Sequence, residues 1–195
     1  AKQYNLKVLE DSCETMFARY KGKSVGSFGD VSCFSTYACH VICTGVGGFA
    51  LTKDEEIGIL LRSLANHGRD SIYMSIDDDK TDDPEKLGMI MERRFNFIRM
   101  GYSYRATEME AALGLAQIEE IEMNITSRRA FAKILLDKLK KWEKYIQLPS
   151  IMEGAEHSFM MFPIVVINPL LLREELTFFL EKNNMIPKYI DIHAH

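Results

Sequence analysis

An α/β protein is predicted for this chain by three features of its sequence. Short apolar runs of strand length alternate with longer stretches in which apolar residues recur every three or four positions. Glycine-rich segments separate many of these runs. Helix-start patterns, a Thr followed three residues on by Glu, stand at Thr52–Glu55 and Thr107–Glu110. Alternation of this kind describes a sheet with helices packed on it.

The elements follow in order. Leu6–Glu10 reads as a short strand with Asp11 directly after it, Val31–Ser35 as a second strand and Gly48–Leu51 as a third. Between the first two, YKGKSVGSFGD has the composition of a hairpin or loop. Thr52–Asp54 opens a helix, with Thr52 as its cap and Ile57, Leu60, Leu61 and Leu64 on one face. From Asn66 to Gly88 the periodicity breaks, and DDDKTDDPEKLG predicts an exposed loop. A helix capped by Thr107 and Glu110 is expected through about Glu122, with Met109, Ala112, Leu113, Ala116 and Ile121 as its apolar positions. A long helix over 125–145 ends before Leu148-Pro149. Phe159–Ile167 predicts a buried strand, with Pro163 marking an edge or bulge, and Leu170–Lys182 a final amphipathic helix. A boundary near 123–128 divides a larger domain, 1–124, from a smaller α+β one, 125–195.

Composition narrows the classes of function. The 195 residues are 47% hydrophobic and 27% charged, a globular balance. Lys and Arg number 24 against 28 Asp and Glu, with no basic block, which argues against nucleic acid as a partner. No apolar run approaches the ~20 residues of a membrane span, and the first residues lack the apolar core of a signal peptide. The cysteines, at 13, 33, 39 and 43, form no CxxC pair and read as reduced thiols of a cytoplasmic protein.

Taken one at a time, the candidate sites are weak. Asp11 stands where α/β folds place ligands, but also where a helix cap belongs. A calcium loop begun at Asp77 requires Gly at its sixth position and Glu at its twelfth; those are Asp82 and Gly88, so a solvated loop is expected. His193 and His195 form only a two-histidine tail. Thr44-Gly45-Val46-Gly47-Gly48 suits a phosphate cradle or simply a tight turn with positive φ.

Together, five motifs are specific: VLEDSCE (8–14), YKGKSVGSFGDVSCFS (20–35), TGVGG (44–48), LRSLANHG (61–68) and MGYSYRATEMEAALGLAQIE (100–119). In order and spacing, from the first residues to about 187, the chain resembles the DegT/DnrJ/EryC1/StrS sugar aminotransferases. These are pyridoxal-phosphate enzymes acting on nucleotide-linked keto sugars. The resemblance implies the aspartate-aminotransferase fold, with 1–124 as the C-terminal part of the large cofactor-binding domain and 125–195 as a truncated small domain. It implies Asp11 at the cofactor's pyridinium nitrogen, Glu14 near the ring hydroxyl and Ser35 on the phosphate. His40 stands where the family has its Schiff-base lysine. Ser103 replaces an Asn that reaches the phosphate of the neighbouring subunit, which implies a homodimer, and Val46 replaces a Glu often found in the glycine turn.

A His-bearing branch resembles sugar 3-dehydratases, which hold the cofactor as pyridoxamine phosphate. Their substrate class is a nucleotide-linked 4-keto-6-deoxy sugar, with glutamate as amine donor, and His40 is the implied catalytic base. Some dehydratases of the family carry an iron–sulfur cluster. Cys13 matches its first ligand, but no cysteine follows Arg69-Asp70, so no cluster is expected here, and no other metal. The family's N-terminal phosphate loop and ring-stacking aromatic have no counterpart in the sequence, so a fragment is expected. Two other readings stay open: an aminotransferase-like protein or gene fragment without catalysis, and a sugar 4-aminotransferase that works without the lysine.

Overall fold

The computed structural model describes residues 1–70, 82–93 and 95–185. By contact density the chain forms two units. One comprises Ala1–Ser12, Gly26–Cys39 and Cys43–Gly114; the other comprises Cys13–Val25, His40–Ile42 and the chain from Leu115 onward.

The first unit is built on a mixed three-stranded sheet. β1 (Leu9–Asp11) lies parallel to β4 (Val31–Ser35), pairing Leu9 with Val31 and Asp11 with Cys33. β5 (Gly48–Thr52) runs antiparallel along the other side of β4, pairing Ser35 with Gly48 and Val31 with Thr52. β4 follows the predicted bounds because its alternation is clean: Ser32 and Phe34 are buried, while Val31, Cys33 and Ser35 are half-buried. A side chain at position 48 would place its Cβ 2.5 Å from the Phe34 carbonyl, so glycine is required where β5 meets β4. The first strand begins later than expected and takes in Asp11 as its last residue.

Helix α1 (Glu55–Ala65) is capped by Asp54, whose Oδ1 accepts the Ile57 N–H at 3.2 Å. The expected cap, Thr52, is engaged one step earlier. It donates to the Asp30 carbonyl (2.7 Å) and accepts the Asp54 N–H (3.1 Å). Part of the predicted exposed loop is also helical. α2 (Pro84–Arg93) begins with proline, which needs no hydrogen-bonded N–H at that position, and Asp83 caps it by accepting the Glu85 N–H at 3.0 Å. Its Ile90 is buried. Residues 77–81 of the acidic run and the His193/His195 tail lie outside the described residues.

α3 (Glu108–Ile118) has the predicted capping box, with Glu110 accepting the Thr107 N–H at 2.6 Å. It stops four residues early. Ile121, expected on its face, instead opens α4 (Ile121–Leu139) and is buried with Ile125 and Ala132 along that helix. α4 in turn passes into a 3-10 turn at Lys140–Trp142, short of the expected end at 145.

In the second unit, β2 (Arg19–Tyr20) and β3 (Lys23–Ser24) form a hairpin whose turn residues, Lys21 and Gly22, both have positive φ. Tyr20 of β2 pairs with Ala155 of β7 (Ala155–Glu156). β6 (Ile146–Gln147) pairs with β8 (Val165–Val166).

The predicted strand Phe159–Ile167 is reduced to β8, because the backbone before it is bound by side chains. Arg128 Nη1 donates to the carbonyls of Phe159 (3.2 Å) and Met160 (3.1 Å), and Arg129 Nε donates to that of His157 (3.0 Å). Phe159 itself has φ 51°, outside strand geometry. α5 (Arg173–Lys182) starts three residues later than expected, because Asn168 holds the Leu170 N–H (2.9 Å) in a local turn around Pro169. All four cysteines are free thiols.

Candidate functional site

Asp11 and Ser35 are brought together by the β1–β4 pairing. Both lie at the C-terminal ends of adjacent parallel strands, the end of an α/β sheet at which ligands bind. Asp11 is exposed. Ser35 Oγ accepts the Tyr37 N–H at 3.2 Å, which leaves its own proton to donate outward.

The segment after Ser35 is a closed loop. The Thr44 N–H donates to the Thr36 carbonyl (2.8 Å), the two threonine hydroxyls share a hydrogen bond of 2.7 Å, and the Thr36 N–H donates to the Gly47 carbonyl (3.1 Å). Thr44 Oγ1 also lies 2.8 Å from the Val46 carbonyl, inside the turn it anchors. Gly45 and Gly47 have φ of 87° and 129°, which a side chain would strain. Between these anchors Val41 and Ile42 are buried and His40 is half-buried. His40 Nδ1 is shielded from solvent with no hydrogen-bond partner among the described residues. Val46 is exposed.

Ser103 is positioned by a second arrangement. The stretches 61–68 and 100–104 are docked through the Tyr102 N–H to the Leu64 carbonyl (2.7 Å), the His67 N–H to the Tyr102 carbonyl (2.8 Å) and the Tyr104 N–H to the Ala65 carbonyl (3.0 Å). Ser103 sits opposite Asn66 in a single antiparallel bridge. The two backbones cross so closely that a Cβ on Gly68, whose φ is 75°, would overlap the Arg99 carbonyl, and one on Gly101 would overlap the Gly68 nitrogen. Beyond Ser103, Arg105 Nη2 donates to His67 Nε2 at 3.1 Å, and the rings of Tyr102 and Tyr104 stack at 4.9 Å.

Asp11, Ser35 and Ser103 thus belong to the first unit, while Glu14, exposed in the turn after β1, and His40 belong to the second. One residue with a clear part in this arrangement was not anticipated: Glu10, whose carboxylate binds the backbone of 26–29. Its signal was the glycine-rich stretch itself, a run of exposed N–H groups in need of an acceptor.

The profile of the DegT/DnrJ/EryC1/StrS aminotransferase family matches residues 1–191. The chain belongs to that family. It is 33% identical over 172 residues to the lipopolysaccharide biosynthesis protein RfbH of Salmonella typhimurium, covering 85% of this chain and 39% of that one. It is 33% identical over 162 residues to the GDP-4-keto-6-deoxy-D-mannose 3-dehydratase of Escherichia coli O55:H7, covering 82% and 39%. An E. coli GDP-4-keto-6-deoxy-D-mannose-3-dehydratase solved with hydrated pyridoxal phosphate matches at TM-score 0.74 and 29% identity, covering 98% of this chain and 52% of that one. The chain therefore spans about two fifths of these curated relatives and half of the solved one. The aminotransferase fold of the family is the fold of this chain, and the family's cofactor is pyridoxal phosphate.

The residues present fit that group. Within the first unit a carboxylate and a hydroxyl end two neighbouring strands. Within the second, taken by itself, an imidazole offers a buried nitrogen without a partner among the described residues. Among the described residues no helix is long and apolar enough to cross a membrane.

Proposed function

We propose that this chain forms part of a pyridoxamine- or pyridoxal-phosphate-dependent enzyme that removes the C3 hydroxyl of a nucleotide-linked 4-keto-6-deoxy sugar. The observation that carries this reading is His40: an imidazole with an unpartnered buried nitrogen at the position of the family's lysine. When bound, the cofactor supplies an amine for the sugar's keto group and a ring that accepts electrons.

The chain's own groups do the rest. Asp11 holds the proton on the ring nitrogen through a charge-assisted hydrogen bond. Ser35 would donate to the phosphate, Ser103 would donate to the phosphate held by the neighbouring subunit of a homodimer, and Glu14 would serve the ring hydroxyl. His40 takes a proton and returns one to the departing C3 oxygen, work suited to an imidazole, whose ring nitrogens can both accept and donate. Glutamate is the amine donor, and the enzyme works in the cytoplasm. The division at 124/125 into a cofactor domain and a small domain belongs to the same proposal.

The test is an absorbance spectrum with pyridoxal phosphate and pyridoxamine phosphate, followed by assay with a nucleotide-linked 4-keto-6-deoxy sugar and glutamate. The expected result is cofactor binding and C3 deoxygenation. Binding with amine transfer to C4 and no loss of the hydroxyl would favour the sugar 4-aminotransferase instead. The exposed Val46 and the short Ser103 favour a third reading, an aminotransferase-like protein without catalysis, for which neither product forms.

A further inference from the structure

Glu10 precedes Asp11 and, by the alternation of a strand, projects to the opposite side of β1. Its carboxylate is a collecting point for donors. Oε1 accepts the Gly26 N–H and the Ser12 hydroxyl (2.9 Å); Oε2 accepts the N–H groups of Phe28 (3.0 Å) and Gly29 (3.1 Å). Partial burial pushes this carboxyl up, but the backbone donors of Gly26, Gly29 and Phe28 outweigh it and hold the group below the usual carboxylate range.

The turn is shaped to present those donors. Gly26 has φ 89°, and a Cβ there would overlap the Phe34 ring. One on Gly29 would come within 2.8 Å of the Val8 carbonyl. Asp30 then closes the junction, accepting the Val8 N–H (2.7 Å) and donating its own N–H to the Val8 carbonyl (2.9 Å). From there the chain enters β4.

One carboxylate therefore ties the end of β1, which carries Asp11, to the turn that leads into β4, which carries Ser35. We propose that Glu10 is the positioning residue for two of the cofactor's anchors: it locks the 26–29 turn against β1 and so fixes where Asp11 stands relative to Ser35. This rests on the cofactor reading above. The separation of those two groups must match that between the ring nitrogen and the phosphate of one molecule. Glutamine cannot substitute, because its amide keeps one acceptor oxygen and turns N–H groups toward backbone N–H groups.

The experiment combines amide NMR with titration by pyridoxamine phosphate and pyridoxal phosphate, on the unsubstituted protein and on Glu10→Gln and Asp11→Asn. In the unsubstituted protein the Gly26, Phe28 and Gly29 amides should titrate together, at a pH below the ordinary Glu value of about 4.3. Independent titration of the three would overturn the proposal without any variant. Glu10→Gln should move the same amides, alter the absorption band of bound pyridoxal phosphate and weaken its binding about tenfold. Asp11→Asn should alter the band while leaving those amides in place. If Glu10→Gln moves the amides but leaves band and affinity unchanged while Asp11→Asn changes them, Glu10 serves the fold alone and the proposal fails. If Asp11→Asn also leaves the bound cofactor unchanged, the cofactor reading has failed and the positioning role falls with it.

Discussion

The Nδ1 of His157 accepts the N–H of Phe159 at 2.8 Å, so this imidazole is built into the fold in its neutral form. Burial lowers its pKa, and the Arg129 guanidinium lowers it further. Arg129 also holds the His157 carbonyl, Arg128 holds those of Phe159 and Met160, and Glu156 lies 3.9 Å from Arg129.

A pH dependence follows from the sign of that shift. The folded state binds this proton less readily than the unfolded state, whose His titrates near 6.5. The contribution to stability is complete above that pH and is lost as pH falls from there through the folded value. Thermal unfolding followed from pH 7.5 to 5 should show this decline, and His157→Asn, which keeps an acceptor but cannot titrate, should flatten it. An unchanged slope in that variant would show that the bond does not govern the turn.

Gly68→Ala should destabilise the protein by about 3 kcal/mol or more, combining left-handed strain with a backbone collision at Arg99. Gly88→Ala is the counter-case. Gly88 lies inside α2 with nothing within 4 Å of an added Cβ, so alanine should add about 0.5–1 kcal/mol. Urea denaturation of the two variants measures both, and effects of the same sign would contradict the account.

Thr44→Val should cost about 1–3 kcal/mol, because it keeps the shape but strands the buried Thr36 hydroxyl and opens the base of the His40 loop. Thr44→Ser retains the hydroxyl and should recover most of that loss in the same denaturation assay.

Borohydride reduction in the presence of pyridoxal phosphate should leave no cofactor attached at position 40, and His40→Lys should create such an attachment, read by peptide mass. His40→Asn should lower C3 deoxygenation by about 10²–10⁴-fold with little change in pyridoxamine-phosphate affinity. Unaltered turnover in that variant would remove His40 from the chemistry.

A homodimer is expected. Met109, Leu113, Leu115 and Ile118 of α3 are all more than half exposed in the single chain, as are Met123 and Phe131 of α4. Light scattering should return twice the mass of one subunit; a monomer at micromolar concentration would count against it.

Some of this was legible from residues alone. Val31–Ser35 was, since a half-buried strand needs only local alternation, and so was the Thr107–Glu110 box, whose partners lie three residues apart. Phe159–Ile167 misled because its backbone is bound by Arg128 and Arg129, about thirty positions upstream and invisible to any window of hydropathy. Asp54 displaced Thr52 as cap because Thr52 was committed to Asp30 across the sheet. Asp11, Glu14, Ser35, His40 and Ser103 are candidates by motif alone. The tie between Asp11 and Ser35, Glu10, emerged only once the 26–29 turn was folded against β1.

The pairing of Tyr20 with Ala155 sets a schedule for synthesis. A ribosome that has just delivered the β2–β3 hairpin must add more than a hundred further residues before β7 exists to pair with it. At roughly 5–20 residues per second, that is a wait on the order of 10 s. Throughout that interval an edge of the nascent hairpin stands open. Chaperone demand during translation should therefore peak before Glu156 leaves the exit tunnel, and a chain stalled short of β7 should be more prone to aggregation than one stalled just beyond it.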